Sequence, residues 1–215
     1  MPFLKTYLRI LPKEWCVDWS FIVSVYIKFF FLMTPFFVLS MFLVMTKEES
    51  SEAKKKLALH VSASVIFTCT ILLFFGNYIF DLFGITLDAF RIGAGSLLFL
   101  TAVSLIQGPK TDALPKDASA IAVVPLAIPI TIGPGTIGAL LVMGAGMEGV
   151  QQTLQGLFAL ILAVGSVGVM LYFSGAIERV VGRNGLTVLS KITGLVLAAL
   201  AAQIVFTGIK NFLEL

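Results

Sequence analysis

Long apolar runs separated by short polar segments dominate the chain, and their lengths predict its elements. A helix needs about 20 mostly apolar residues to cross the hydrocarbon core of a bilayer. The candidate spans are Phe29–Thr46, Leu57–Phe80, Ile92–Ile106, Ala118–Met147, Gly149–Ile177 and Ile192–Ile209. The pattern therefore predicts an all-α polytopic membrane protein with six transmembrane helices, which leave almost no chain for a soluble domain.

The fourth run contains several residues that break helices. Its segment AIPITIGPGT, from Ala127 to Thr136, holds two prolines and two glycines. Proline inside a helix costs roughly 3 kcal/mol and glycine about 1 kcal/mol relative to alanine. In hydrocarbon the freed backbone groups find no water, so a break is tolerated only where helices pack around it or where it lines a cavity.

The first run is interrupted at a matching place, by Thr34-Pro35 without glycines. Two interrupted spans at corresponding positions are typical of a transporter site, and the helix start after each break suits a carboxylate. Glycines 133, 135 and 138 would let a small zwitterion approach the backbone closely. The residues that we predict to bind substrate are Thr34, Pro35, Phe37, Thr131, Gly133, Pro134, Gly135 and Thr136. Packing kinks are the alternative explanation of both breaks.

The third and sixth runs align at an offset of one hundred residues, as RIGAGSLLFLTAVSLIQG from Arg91 and KITGLVLAALAAQIVFTG from Lys191. The first and fourth runs share an early proline and a late Leu-Val-Met. A repeated three-span unit forces its two copies into opposite orientations, as in many secondary transporters. We therefore predict an interfacial segment at 1–20 and two inverted three-helix repeats, at 21–110 and 111–215, with helices 1 and 4 broken.

The basic residues collect on one side of the predicted membrane. Nine of the fifteen lie between spans one and two, three and four, or five and six, namely Lys47, Lys54, Lys55, Lys56, Lys110, Lys116, Arg179, Arg183 and Lys191. The opposite face holds Lys5, Arg9, Lys13, Lys28, Arg91 and Lys210. Excess Lys and Arg marks the cytoplasmic side, so both termini are predicted to be extracytoplasmic. Trp15 and Trp19 favour an interfacial helix over a removable signal peptide at the N-terminus.

Composition and candidate chemistry agree with this class. The 215-residue chain is 58% hydrophobic and 13% charged, with a mean hydropathy of +1.01 and a net charge of +3. Soluble domains average about 45–50% apolar and about 25% charged residues. The acidic residues nearest the spans lie at their ends or in loops, at Asp81, Asp88, Glu148 and Glu178. Proton coupling through a buried carboxylate is therefore not expected, whereas a cation held by backbone carbonyls would leave no mark in the sequence.

Enzyme chemistry has no support in the sequence. His60 is the one histidine, and Cys16 and Cys69 lie far from it along the chain, so no metal-site spacing is present. No nucleophile elbow, metalloprotease motif or phosphate-binding loop occurs. We expect no enzymatic activity, no cofactor, no metal and no nucleic-acid partner.

Two segments resemble a known family. VVPLAIPITIGPGTIGALLVMG, from Val123, and ITGLVLAALAAQIVFTGIK, from Ile192, resemble the MarC family of bacterial and archaeal six-span inner-membrane proteins, which includes transporters of small neutral amino acids. The resemblance extends from about Phe29 onward. The second signature is intact at Pro125, Pro129, Gly133, Pro134 and Gly135.

The first signature departs from the family pattern. Thr34 stands for the usual Asn, Phe37 for a Gly and Ser40 for a second Pro. A phenylalanine in place of glycine would fill space beside the break, which predicts a different or larger substrate, or a lost activity.

The resemblance and the breaks together predict a secondary transporter of small neutral amino acids or related metabolites, working by alternating access in the inner membrane. Its partners would be a small-molecule substrate and the lipid bilayer, and the pattern allows a homo-oligomer. The alternatives are a non-transporting scaffold or accessory protein and a channel or exporter for an unrelated solute. Substrate identity, direction, coupling ion and oligomeric state stay open at this point.

Overall fold

A computed structural model describes residues 18–108 and 132–213 of the protein. Its helices in these ranges are α1 (Trp19–Leu32), α2 (Pro35–Met45), α3 (Ser51–Phe83), α4 (Leu87–Gln107), α5 (Pro134–Ala145), α6 (Gly149–Tyr172) and α7 (Ser174–Phe212). The two ranges contain no strand. The prediction of an all-α architecture is confirmed for this part of the chain.

Five helical stretches of the described ranges are long and apolar enough to cross a membrane. They are Trp19–Met45, which joins α1 and α2, Ser51–Gly76 in α3, then Leu87–Gln107, Gly149–Tyr172 and Ser174–Phe212. α5 is a shorter apolar helix, and the preceding part of the predicted fourth span lies outside the described residues. These five stretches are consistent with a multi-pass membrane protein, while the sixth span stays a prediction.

Side-chain caps mark the starts of three helices. Asp18 Oδ1 accepts a hydrogen bond from the Phe21 N–H at the start of α1, over 3.1 Å. Ser50 and Thr86 cap α3 and α4 in the same way, each at 3.2 Å. Such caps satisfy N–H groups that have no partner inside the helix. α3 ends at Gly84, whose φ of 63° is a left-handed conformation that glycine adopts without strain.

Several helix boundaries differ from the prediction, and the start of the sixth span differs most, since α7 begins at Ser174 and not at Ile192. α1 begins at Trp19, ten residues before the predicted start at Phe29, so Lys28 lies inside the helix. Lys28 interrupts the apolar run at this place, and a charge is unusual inside a span. The predicted span Gly149–Ile177 is also too long, since α6 ends at Tyr172 and α7 begins at Ser174. α7 is kinked at Gly182, which has φ 69° and ψ 165°.

α4 and α7 pack antiparallel through small residues. A Cβ atom built on Gly95 of α4 would lie 3.0 Å from the Ala201 carbonyl oxygen of α7. One built on Gly194 of α7 would lie 3.0 Å from the Ala102 carbonyl oxygen of α4. Glycine at these two positions lets the backbones approach closely, which is how membrane helices commonly associate.

α5 lies between α3 and α4. A Cβ atom on Gly135 would lie 2.7 Å from the Leu98 Cα of α4, and one on Gly76 of α3 would lie 2.7 Å from the Leu141 carbonyl oxygen of α5. α1 packs on α6, where the Tyr26 and Ser166 hydroxyl groups form a hydrogen bond of 3.0 Å. α2 packs on α7. The two short helices thus sit inside the bundle, surrounded by longer ones.

The interior and the outer surface of the bundle are both apolar. The fully buried side chains include Phe29, Met33, Leu39, Phe42, Leu140 and Leu160. Large exposed ones include Phe67, Phe75, Leu82, Leu100 and Phe206. A soluble monomer rarely exposes so much apolar surface, whereas a membrane bundle places it against lipid tails.

Candidate functional site

The first helix break is strained. α1 ends at Leu32 and α2 begins at Pro35, with Thr34 between them at φ 47° and ψ 56°. A left-handed conformation costs an ordinary residue about 1–2 kcal/mol. Thr34 is β-branched and precedes a proline, which makes the conformation harder to adopt. Strain of this kind clusters at functional sites, because surrounding structure must hold it in place.

The second helix break is relaxed. Gly133 has φ −74° and ψ 169°, the extended conformation that a residue before proline prefers. Pro134 occupies the first helical position of α5, where its missing N–H is not needed. The last part of the predicted break, from Gly133 to Gly135, therefore lies at the start of α5. The helix that is predicted to precede it lies outside the described residues. Pro125, Pro129 and Thr131 lie outside the described residues.

A hydrogen bond joins the two breaks. The Thr136 hydroxyl, on the first turn of α5, donates to the Leu32 carbonyl oxygen at the end of α1, over 3.2 Å. Carbonyl groups in the last turn of a helix have no partner inside it. Thr136 is 3% exposed, so this bond satisfies a carbonyl that has little access to water.

The helix starts at both breaks lack side-chain caps. Neither Thr34 at α2 nor Gly133 at α5 makes a capping hydrogen bond from its side chain. α6 and α7 also lack such caps, but they begin away from the breaks, after Glu148 and Phe173. The first N–H groups of α2 and α5, with their partial positive charge, therefore stay available at the breaks for an anionic group.

A cavity of about 750 Å³ opens beside the breaks. Its size lies within the range of about 300–1,000 Å³ found for ligand sites. Most of its walls come from α2, α4 and α7. Its polar side chains include Thr34, Ser40, Thr101, Ser104, Gln107, Thr136, Thr187 and Ser190. Hydroxyl and amide groups can donate and accept hydrogen bonds, so the cavity can bind a polar solute.

An ion pair lies at the far end of this large cavity. Arg183 Nε donates to Glu178 Oε1 over 3.0 Å, and the two side chains are 66% and 32% exposed. They lie on either side of the Gly182 kink in α7. The large cavity therefore runs from the breaks to the region of α7 around the Gly182 kink.

The structure brings most of the predicted site residues to the large cavity. Those that line it are Thr34, Phe37, Gly133, Pro134 and Thr136. Pro35 is buried at the start of α2 and is not part of the lining, and Thr131 lies outside the described residues. These placements bring the two breaks to one cavity.

Gly135 and Gly138 do not line the large cavity, although we expected a substrate to approach the backbone there. Their missing side chains face α4, where a Cβ on Gly135 would meet Leu98 and one on Gly138 would meet Ala94. These two glycines allow helix packing, because the neighbouring helix occupies the space that a substrate would need. The glycine pattern revealed close approach at these positions, but not which neighbour makes it.

Sequence reasoning missed the walls of the large cavity that come from α4 and α7. Thr101 and Ser104 are three residues apart on α4, and Thr187 and Ser190 are three apart on α7. Polar residues at this spacing lie on one face of a helix. That spacing in otherwise apolar spans was a usable signal for a polar surface inside the bundle.

A second, smaller cavity lies on the other side of the breaks. It has a volume of about 150 Å³, and Lys28, Leu32, Arg91 and Leu98 are among the residues that line it. Leu32 lines the small cavity and Thr136 the large one, and the two residues are hydrogen-bonded to each other. Their contact is therefore part of the barrier between the two cavities.

Comparison with known proteins gives the family. A profile of MarC family integral membrane proteins matches residues 19–213. A "UPF0056 membrane protein" of Aquifex aeolicus is 34% identical over 206 residues, which cover 89% of this chain and 94% of that one. The "UPF0056 membrane protein YhcE" of Escherichia coli is 33% identical over 199 residues, covering 87% and 93%.

An archaeal relative is similar over the same length. A "UPF0056 membrane protein" of Methanocaldococcus jannaschii is 30% identical over 207 residues, which cover 92% of this chain and all of that one. No solved structure is similar enough to this chain to give a significant match. The profile match over nearly the whole length and these relatives show that the chain belongs to the MarC family of integral membrane proteins.

Proposed function

We propose that the protein is a secondary transporter of small neutral amino acids or related small metabolites, working by alternating access. The observation that carries this proposal is the hydrogen bond between Thr136 and Leu32, which joins two helix breaks at the edge of a 750 Å³ cavity. Paired breaks of this kind form the substrate sites of many secondary transporters. A break kept only for packing would not need to border a polar cavity.

The packing of the bundle supports two inverted three-helix repeats, at 21–110 and 111–215, behind an interfacial segment at 1–20. Gly95 of α4 contacts Ala201 and Val205 of α7, and Gly194 of α7 contacts Ala102 and Leu105 of α4. These two groups of residues are equivalent at an offset of one hundred positions, to within one residue. Gly95 corresponds to Gly194, Ala201 to Ala102 and Val205 to Leu105. A twofold axis in the membrane plane relates helices in this way.

The short helices follow the same relation. α2 packs on α7, and α5 packs on α4, so each half-helix contacts the last helix of the other proposed repeat. α2 and α5 also both begin with a proline directly after a break. Rocking of one repeat against the other would then open the breaks to one side of the membrane or to the other.

The basic residues give the proposed orientation. The large cavity opens near Arg183, on the face that carries most of the Lys and Arg residues. We assign this face to the cytoplasm of a bacterial or archaeal cell and both termini to the outside. The structure then corresponds to an inward-open state, in which the contact between Thr136 and Leu32 closes the outer side.

The chemistry of the large cavity fits a small zwitterion. The uncapped helix starts directly after Thr34 and Gly133 would hold a carboxylate. Hydroxyl oxygens such as those of Ser104 and Ser190 would accept hydrogen bonds from an ammonium group. Phe37 would limit the size of the substrate side chain. Thr131 stays in the proposed site on sequence grounds. We assign the protein no catalytic activity and no cofactor.

Transport is tested with purified protein in proteoliposomes. Uptake of radiolabelled glycine, alanine and serine is measured with imposed sodium and proton gradients, against protein-free liposomes. We expect saturable uptake of at least one amino acid, faster under one of the gradients. An unsaturable, voltage-driven current would indicate a channel. Absence of uptake by protein that still unfolds cooperatively on heating would overturn the proposal and favour a scaffold or a carrier of another solute.

A further inference from the structure

The small cavity carries an unusual charge. Among the described residues that line it, Lys28 of α1 and Arg91 of α4 are cationic, Gln203 and Thr207 of α7 are polar, and none is acidic. The remaining ones are apolar: Leu32, Leu98, Ala139, Val142, Met143, Leu200 and Ile204. An apolar enclosure strengthens the electrostatic field of a charge inside it, so two cations there attract an anion strongly.

Arg91 is only partly neutralised by its neighbours. Its Nη1 donates to Asp88 Oδ1 over 2.6 Å, and the Asn211 amide donates to the same oxygen over 3.3 Å. A guanidinium group has five N–H donors, so this single bond leaves others free to bind a ligand. Two cations and one carboxylate leave a net charge of about +1 on the small cavity.

Lys28 lies deep in the proposed membrane. It is six residues before Thr34, which corresponds to about 9 Å along the helix axis. The hydrocarbon core extends about 15 Å on either side of its centre, so a break near the centre places Lys28 inside the core. Lys28 is half-buried and forms no ion pair with any residue of 18–108 or 132–213. Charged residues at such depth commonly mark the path of a substrate or ion.

The position of the small cavity relates it to the large one. Leu32 and Leu98 form its inner end, and the Leu32 carbonyl accepts the hydrogen bond of Thr136, which lines the large cavity. The two cavities therefore lie on opposite sides of one barrier. A solute that crosses the barrier from the large cavity would enter the small one.

We propose that the small cavity binds a small carboxylate, with Lys28 and Arg91 as its ligands, on the outer side of the barrier. It is an intermediate binding site for the carboxylate of the transported solute. The solute occupies it between the membrane exterior and the helix starts at the breaks. The identity of the solute rests on the proposed transport function. The anion site itself is measurable without transport.

The test measures the charge preference of the small cavity with thiol reagents. Thr207→Cys is placed in full-length protein in which Cys16 and Cys69 are serine, reconstituted in vesicles of zwitterionic phosphatidylcholine, which has no net charge. Its modification rates are measured with a sulfonate-bearing and a trimethylammonium-bearing methanethiosulfonate. The ratio of the sulfonate rate to the trimethylammonium rate is divided by the same ratio for a free thiol in solution. We expect this corrected ratio to be about ten.

Charge variants assign the preference to its residues. Lys28→Gln and Arg91→Gln should each reduce the ratio at least threefold. Lys210→Gln, which removes a charge near the same end of α7 but outside the cavity lining, should leave it unchanged. Unchanged ratios in both Lys28→Gln and Arg91→Gln would overturn the proposal. Thermal unfolding of each variant checks that the fold is kept.

Competition identifies the ligand. Excess sodium acetate, which offers a carboxylate alone, should slow the modification, whereas choline chloride at equal ionic strength should not. Protection by acetate without any amino-acid uptake would support the anion site and refute the proposed transport function. If acetate fails to protect and only added phosphatidylglycerol slows the reaction, the cavity binds the headgroup of an anionic lipid and the carboxylate assignment is wrong.

Discussion

The two helix breaks differ in how the backbone turns and in what the following helix presents. At the first, Thr34 is forced into a left-handed conformation and Phe37, two residues after Pro35, lines the large cavity. At the second, Gly133 is extended and unstrained, and Thr136, two residues after Pro134, reaches across to Leu32. Equivalent positions thus carry a bulky apolar ring in one half and a bonding hydroxyl in the other.

The difference indicates that the two breaks have different roles. In the proposed mechanism, the hydrogen bond at the relaxed break closes the barrier, whereas Phe37 after the strained break limits the space beside it. Strain at Thr34 persists only because the packed helices α1 and α2 impose it, so that break is the one whose geometry can change at low cost. The variants below alter one break at a time.

The largest effect on stability is expected where the second break packs on α4. Gly135→Ala places a Cβ atom 2.7 Å from the Leu98 backbone, and overpacking of this kind typically costs about 1–3 kcal/mol. Gly165→Ala, in open space on α6, should instead stabilise by about 0.5–1 kcal/mol. The midpoint of thermal unfolding in detergent compares the two variants. Equal midpoints would contradict the close contact between α5 and α4.

The size of substrate that the site accepts is expected to depend on Phe37, beside the first break. Phe37→Thr gives this position the residue found at Thr136 and enlarges the large cavity. Uptake of valine relative to glycine should rise about tenfold, since each extra methylene accommodated in a pocket is worth about 1–3 kcal/mol. Phe36→Thr, at a neighbouring residue outside the lining, is the matched control. A similar rise in both variants would show that Phe37 does not set the size limit.

Relief of strain at the first break is expected to be smaller. Thr34→Asn should raise stability by about 1 kcal/mol, because asparagine tolerates the left-handed conformation better than a β-branched residue does. Thr34→Val keeps the branching and removes the hydroxyl, so it should give no gain. Unfolding midpoints again provide the comparison. A midpoint for Thr34→Asn no higher than that of Thr34→Val would argue against a left-handed Thr34.

The sequence predicted the breaks better than their surroundings. Proline and glycine restrict the backbone directly, so Pro35 and the Gly133-Pro134 pair revealed where helices start. The role of Gly135 could not be predicted, because it depends on the approach of α4 from a distant part of the chain. The hydrogen bond from Thr136 to Leu32 joins residues 104 positions apart, and no local pattern marks such a pair.

Charge within the spans misled the sequence reading in one place. Lys28 made the first helix look shorter than it is, because an isolated cation resembles the end of a span. The structure places it in a wall of the small cavity. Its depth depends on where α1 begins, and the cap at Asp18 that fixes this start lies ten residues earlier in the chain.

In the proposed mechanism, the contact between Thr136 and Leu32 closes one side of the site while the other side is open. Thr136→Val removes a hydrogen bond worth about 1 kcal/mol, which should shift the two states about fivefold toward the opposite opening. Thr187→Val removes a hydroxyl from the same large cavity whose bond stays within α7, so it should shift nothing.

Modification of two cysteines tests this claim most directly. In protein lacking Cys16 and Cys69, Ser104→Cys reports on the large cavity and Thr207→Cys on the small one, with impermeant thiol reagents applied from the matching side. Thr136→Val should slow the reaction at position 104 and speed it at position 207, each about fivefold. Rates that rise together at both positions, or that do not change at either, would contradict alternating access around the two breaks.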